Sequence, residues 1–143
     1  MSTKLEHANL CVDDIDGMIK FLQTALPDFI IRHDETGIDG DRWVHIGNDT
    51  TYIALNNSTQ KESSDWTPYS GRSGVNHLGY MVDNAEQVRS RLLAADYIES
   101  TIENNHPFRK RVYFYDHEGR DWEFVEYLSE NLKERNDYTL ADK

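Results

Sequence analysis

The sequence predicts an α+β fold in which two tandem β-α-β-β-β units form curled mixed sheets around one cavity. Three observations carry that expectation. Residues 5–13 (LEHANLCVD) and 75–83 (VNHLGYMVD) each place a histidine third and close on Val-Asp, so His7 and His77, Val12 and Val82, and Asp13 and Asp83 stand 70 residues apart. Each stretch leads into a run of helical spacing opened by a capping side chain. Each such run is followed by short strand-like segments separated by Gly- and Asp-containing turns. A chain of 143 residues holds one domain with a real core. Its expected parts are unit 1 at about 4–57, a linker at 58–74, unit 2 at about 75–128 and a C-terminal tail at 129–143.

The elements follow in order. Residues 5–12 alternate and read as a strand. Asp13 and Asp14 offer N-caps for a helix over Ile15–Ala25, with Ile15, Met18, Ile19 and Leu22 at helical spacing. The Leu-Pro pair at 26–27 ends it, because the residue before proline is pushed out of the helical region. Residues 29–32, 42–46 and 51–55 read as strands, the first two joined by the turn GIDG. The plan then repeats: a strand at 75–82, a helix at 84–95 carrying Val88, Leu92 and Leu93, a short strand at 98–102, and a hairpin of 112–115 and 122–127 around DHEGR. The linker STQKESSDWTPYSGRSG is polar and long, as segments that join units or cover a site are. The tail predicts a helical turn or two and then a loose end.

Composition narrows the partners. Net charge is −11, from 26 acidic and 15 basic residues, so the surface repels phosphate backbones and anionic lipid. No nucleic-acid or membrane partner is expected. The short run RKR at 109–111 has room for one small anion. Cys11 is the only cysteine, which excludes an intrachain disulfide and a thiolate metal cage. A reducing compartment fits, the first residues carry no signal-like apolar run, and no stretch approaches the ~20 apolar residues of a membrane span. The expected compartment is the cytoplasm.

Side chains alternate between faces along a strand. His7, Asn9 and Cys11 therefore share one face, as do His77, Gly79 and Met81. If a helix covers the opposite face of each sheet, with Trp122 and Phe124 beneath it, then Glu123 joins the two histidines in a pocket. Trp43 and His45 share a face too, and their counterparts 70 residues on are Tyr113 and Tyr115. In such a pocket His45 is the natural acid or base, and Tyr113 or Tyr115 would orient or protonate an oxyanion. Arg111 would hold a carboxylate in bidentate fashion, and Asn9, Trp43 and Asn56 are the other expected substrate contacts. From pattern alone a strand histidine is more often a hydrogen-bonded packing residue than a ligand, and sheet packing accounts for Trp43, Tyr113 and Tyr115 as well as a pocket does. His33, His106 and His117 lie in loop-like contexts and are expected at the surface.

Paired β-α-β-β-β units, a histidine on the first strand of each, and a DxxG hairpin followed by a glutamate resemble the vicinal oxygen chelate superfamily. That superfamily includes glyoxalase I, extradiol dioxygenases, fosfomycin-resistance thiol transferases and metal-free bleomycin-binding proteins. The resemblance covers about residues 4–128 and is most specific at DHEGRDWEFVEY, where His117 replaces the proline of D-P-x-G-x-x-x-E. It implies that His7, His77 and Glu123 are metal ligands. One departure stands out: IAL at 53–55 is the counterpart of WEF at 122–124, so Ala54 (or Ile53, with a shift of one) replaces a second glutamate. Asn56 is a weak ligand at best. Glyoxalase-type isomerisation is disfavoured, since in that group this carboxylate helps move the substrate proton. The fosfomycin transferases' loop of small residues and lysine is not matched by NNHPFRKR at 104–111.

Two histidines and one carboxylate with open positions suit Fe(II) or Mn(II) best, with Zn(II) a third choice. The resemblance therefore implies a metal-dependent enzyme, dioxygenase-like or lyase-like, acting on a small molecule with vicinal oxygens. The alternative is a metal-free protein that binds a drug or metabolite between aromatic walls. A homodimer is expected, because incomplete sheets leave edges to cover, with Trp66, Tyr69 or the tail as contacts.

Overall fold

The structure is a computed structural model that describes residues 2–60, 66–103 and 105–140. The chain divides into two compact units, Met1–Ser64 and Asp65–Lys143.

In the first unit β1 (His7–Val12) leads into α1 (Ile15–Ala25), followed by β2 (Ile30–Thr36), β3 (Arg42–Gly47) and β4 (Tyr52–Asn57). The sheet order is β1-β4-β3-β2, with β1 parallel to β4 and the other pairs antiparallel. Of the two candidate caps, Asp14 is the one used: its Oδ1 accepts the Gly17 N–H at 2.9 Å. The helix buries Ile15, Met18, Phe21, Leu22 and Ala25. Val12, Val44, Ile46, Ile53 and Leu55 complete the core, all from the alternate positions of their strands that face α1. The other face, with His7, Asn9, Trp43 and His45, carries no helix. Strand β2 runs four residues beyond its expected end, because Arg42 of β3 grips Asp34 through two hydrogen bonds of 3.0 and 2.7 Å.

The second unit repeats the plan with β5 (His77–Met81), α2 (Ala85–Ala94), β6 (Arg109–Tyr115), β7 (Asp121–Tyr127) and a short α3 (Leu132–Arg135). Its order is β5-β7-β6, again with the first strand parallel to the last. Asn84 caps α2 by accepting from Gln87 N–H at 2.9 Å, and Glu126 adds a second acceptor for Ala85 N–H at 2.9 Å. Trp122 and Phe124 are buried with Val88, Leu92 and Phe114.

Three expectations are corrected in this unit. The strand expected at 98–102 is reduced to one bridge, Glu99 to Phe114, flanked by backbone bonds of Ser100 to Tyr113 and Ile98 to Tyr115. The ladder stops there because the Thr101 hydroxyl, in place of a backbone carbonyl, accepts the Tyr113 N–H at 2.8 Å. The hairpin strand expected to begin at 112 begins instead at Arg109, which takes RKR at 109–111 into β6. His106 is 5% exposed: its Nδ1 accepts the Phe108 N–H, and its Nε2 donates to the Asp137 carbonyl at 3.0 Å. It pins the tail, which is further held by Arg135 over Tyr127 and Arg109 over Tyr138.

The described part of the linker nearest β5 also belongs to the second unit. The Trp66 indole lies where a Cβ on Gly74 would come within 2.3 Å of its Nε1, and the Tyr69 N–H donates to Asn76 Oδ1 at 2.9 Å. These contacts fold residues 66–76 into a strap.

Candidate metal centre

Strand register decides which residues of the two units are equivalent. Across the first sheet Asn9, Ala54 and His45 are neighbours; across the second, Gly79, Glu123 and Tyr113 are. The separation thus falls from 70 residues at β1/β5 to 69 at β4/β7 and 68 at β3/β6. Ala54 is confirmed as the counterpart of Glu123. The counterpart of His45 is Tyr113 rather than Tyr115, and that of Trp43 is Arg111. A hairpin turn of five residues in the second unit, against four in the first, accounts for one step of that drift.

On the open face of the second sheet, His77 Nε2 lies 3.1 Å from Glu123 Oε2. Arg111 Nε stands 3.9 Å from the other carboxylate oxygen. The Tyr113 ring meets His77 edge-on at 5.6 Å. Burial, reinforced by the Glu123 charge, pushes the Tyr113 hydroxyl up to about 12, so near neutrality it is a hydrogen-bond donor. Gly79 makes room for the carboxylate: a Cβ there would sit 3.4 Å from Glu123 Oε2. Behind His77, the Tyr69 hydroxyl contacts Nδ1 at 2.8 Å and Asp121 Oδ2 at 2.7 Å, and Ser100 donates to Asp121 Oδ1 at 2.5 Å. Tyr115 shares this face beside Asp121.

The open face of the first sheet is an aromatic wall. His7 stacks on Tyr52 at 4.8 Å, and Tyr52 meets His45 at 4.7 Å. His45 is edge-on to Trp43 at 5.1 Å, and Trp43 carries His33 at 4.3 Å. The Arg32 guanidinium covers Tyr52 at 4.4 Å. Burial first, then the neighbouring His33, Arg32 and His7, lowers the His45 pKa and favours the neutral ring. Asn9 and Asn56 lie on this same face. His33 is exposed as expected, though it leans on Trp43.

Strand alternation in the sequence sets His7, His77, Trp43, His45 and Glu123 on these open faces, but it assigns no role there to Tyr52, Tyr69, Asp121 or Ser100. Strand alternation signals Tyr52 and Asp121, two places before Ala54 and Glu123. Nothing in the pattern signals Tyr69, which arrives from the strap.

Donor chemistry and spacing in the second unit fit a divalent cation. An imidazole nitrogen and a carboxylate oxygen bound side by side at ordinary bond lengths are about 3 Å apart, close to the 3.1 Å between His77 and Glu123. Within either unit, no group of three or more His, Cys, Asp or Glu side chains forms a ready cage among the described residues. Nor is any helix there long and apolar enough to cross a membrane.

Each unit thus lays a mixed sheet against a helix and leaves the other sheet face open, and in the second unit that face bears a His–Glu pair. The chain belongs to the Glyoxalase/Bleomycin resistance protein/Dioxygenase superfamily, whose family model matches residues 4–124. Among curated proteins, none matches the sequence. Solved structures share the fold. The fosfomycin resistance protein FosX from Listeria monocytogenes, complexed with Mn(II) and sulfate, superposes with a TM-score of 0.69 at 18% identity, over 96% of this chain and 100% of that one. FosX from Mesorhizobium loti gives 0.68 at 18% identity, over 94% and 98%. A glyoxylase/bleomycin resistance protein/dioxygenase domain from Frankia sp. EAN1pec gives 0.68 at 19% identity, over 89% and 99%.

Proposed function

We propose that the protein is a metal-dependent enzyme acting on a small molecule with vicinal oxygens. The observation that carries this reading is the His77–Glu123 pair, poised at 3.1 Å beside Arg111 and Tyr113. His77 and Glu123 are the proposed ligands, and His7, which the repeat makes equivalent to His77, is the third that the family resemblance implies. Fe(II) or Mn(II) suits such a donor set, with Zn(II) less favoured. Mn(II) in Listeria FosX, and a dihydroxypropylphosphonic acid in a variant of it, support a divalent ion and an oxygen-rich anionic ligand. The ion would act as a Lewis acid on the substrate oxygens. Arg111 would hold an anionic substituent, Tyr113 would donate a hydrogen bond to a developing oxyanion, and neutral His45 would accept a proton. Tyr115, Asn9, Trp43 and Asn56 would complete the substrate contacts. Ring cleavage or another oxygenation fits three open coordination positions better than isomerisation, because Ala54 supplies no second carboxylate.

Calorimetric titration of chelator-stripped protein tests the proposal. Glu123→Ala should weaken Mn(II) or Fe(II) binding by more than the roughly 10–100-fold that losing an outer-shell partner costs. Glu126→Ala is the control: its carboxylate caps α2 on the other face, so metal affinity should hold while stability falls by about 1 kcal/mol. Wild type that binds no divalent metal more tightly than Glu123→Ala ends the enzyme reading. The metal-free binder would then take its place, a reading favoured by Ala54 and by the stacked wall of Trp43, His45 and Tyr52.

A further inference from the structure

Residue 69 is a tyrosine in the left-handed region, at φ 62. Glycine or asparagine would adopt that backbone at little cost, whereas a bulky side chain there is strained. Gly71, two residues on, meets the same demand with φ 81 and no side chain. The strain at Tyr69 therefore points to a use for its side chain. The strap contacts of Trp66 with Gly74, and of Tyr69 N–H with Asn76, hold the backbone so that the hydroxyl reaches His77 and Asp121.

We infer that Tyr69 is a positioning residue that, with Asp121 behind it, fixes the tautomer of His77 and aims its Nε2 lone pair at the metal position. The hydroxyl has one proton and two partners. A carboxylate only accepts, so that proton goes to Asp121 Oδ2, and the Tyr69 oxygen must accept from His77 Nδ1–H. The ring proton is thus held on Nδ1, and Nε2 is left as an acceptor facing a second acceptor, Glu123 Oε2, at 3.1 Å. Two acceptors at that distance are stable only with positive charge between them, supplied by a cation or by a further proton on the ring. Ser100 keeps Asp121 in place through its other oxygen, and Asp121 itself is 4% exposed. This is the outer-shell arrangement that orients a metal-ligating histidine and raises its basicity.

The inference rests on His77 being a ligand, and its test separates the two. Long-range proton–nitrogen NMR correlation on metal-free protein reads the tautomer of His77 directly. Wild type should carry the proton on Nδ1. Tyr69→Phe keeps the ring and removes the hydroxyl, and should lose that preference, with the thermal midpoint reporting that the fold survives. Should Tyr69→Phe fail to fold, Ser100→Ala, which loosens Asp121, should shift the same signal in the same direction. In Mn(II) titration Tyr69→Phe should bind roughly 10–100-fold more weakly than wild type. A fixed Nδ1–H tautomer lost in Tyr69→Phe, in a protein that binds no metal, would keep the relay and remove the metal reading. A wild-type ring protonated on Nε2 alone, with Nδ1 bare, or a tautomer and Mn(II) affinity both unchanged in Tyr69→Phe, would overturn the inference.

Discussion

Glu123 shows how much one side chain's surroundings matter. It is largely shielded from water, faces His77 and Arg111, and lies against Tyr113, whose hydroxyl is raised to about 12 by burial and by the Glu123 charge. A tyrosine with a folded-state value above its ordinary value of 10.0 holds its proton longer when folded than when unfolded. Its contribution to stability is complete below pH 10 and is lost as pH rises towards 12, because only the unfolded chain releases the proton in that window. Ultraviolet difference titration of the metal-free protein should show late-titrating tyrosines, one of which Tyr113→Phe removes. A further late transition is expected from Tyr69, whose hydroxyl is also raised, first by burial and then by the Asp121 hydrogen bond.

The β3–β4 hairpin is the element with the least tolerance. A Cβ at Gly47 would stand 2.1 Å from the Thr51 carbonyl oxygen and 2.5 Å from the Tyr52 Cα. Both are backbone atoms and cannot step aside as a flexible side chain would. Gly47→Ala should therefore destabilise the protein by about 3 kcal/mol, the scale of strain or overpacking in a core. Denaturant unfolding measures it, and a loss under about 1 kcal/mol would show that the hairpin can re-form with another turn. The consequence reaches function, because Tyr52 and His45 flank this turn and hold the aromatic wall together. The second hairpin escapes the constraint: its longer turn folds around Asp116, whose Oδ1 accepts from Glu118 and Arg120 N–H and whose Oδ2 accepts from the Trp122 indole.

For the molecule as a whole, the open question is what covers its sheet edges. Strand β2 is exposed along its whole length, with Ile30 at 60%, and β5 exposes Met81 at 68%. Apolar edges of this kind are templates for association. The expected outcome of sedimentation at tens of micromolar is a dimer, within the range of ordinary association constants. A monomer throughout that range would overturn it. Tyr69, a candidate dimer contact together with Trp66 and the tail, also bonds within its own unit to His77 and Asp121.

Periodicity and capping chemistry by themselves determined α1, the element order of the first unit, and the faces on which His7, His77, Trp43, His45 and Glu123 lie. These are local properties: a helix repeat, a strand alternation and a cap are each read within a dozen residues. The missing acid at Ala54 was equally legible, and the register of β4 against β1 and β3 bears it out. Tertiary structure alone decided the rest. It shifted the equivalence of the third strands by two residues, because turn length is free to differ where strand pairing is not. It buried His106 beneath Asp137, and it brought Tyr69 52 residues along the chain to Asp121. Such contacts depend on irregular backbone, a left-handed tyrosine and an indole over a glycine, whose path no periodic pattern encodes. The sequence thus set His77 and Glu123 on one face, and only the fold brought the Tyr69 hydroxyl to His77 Nδ1.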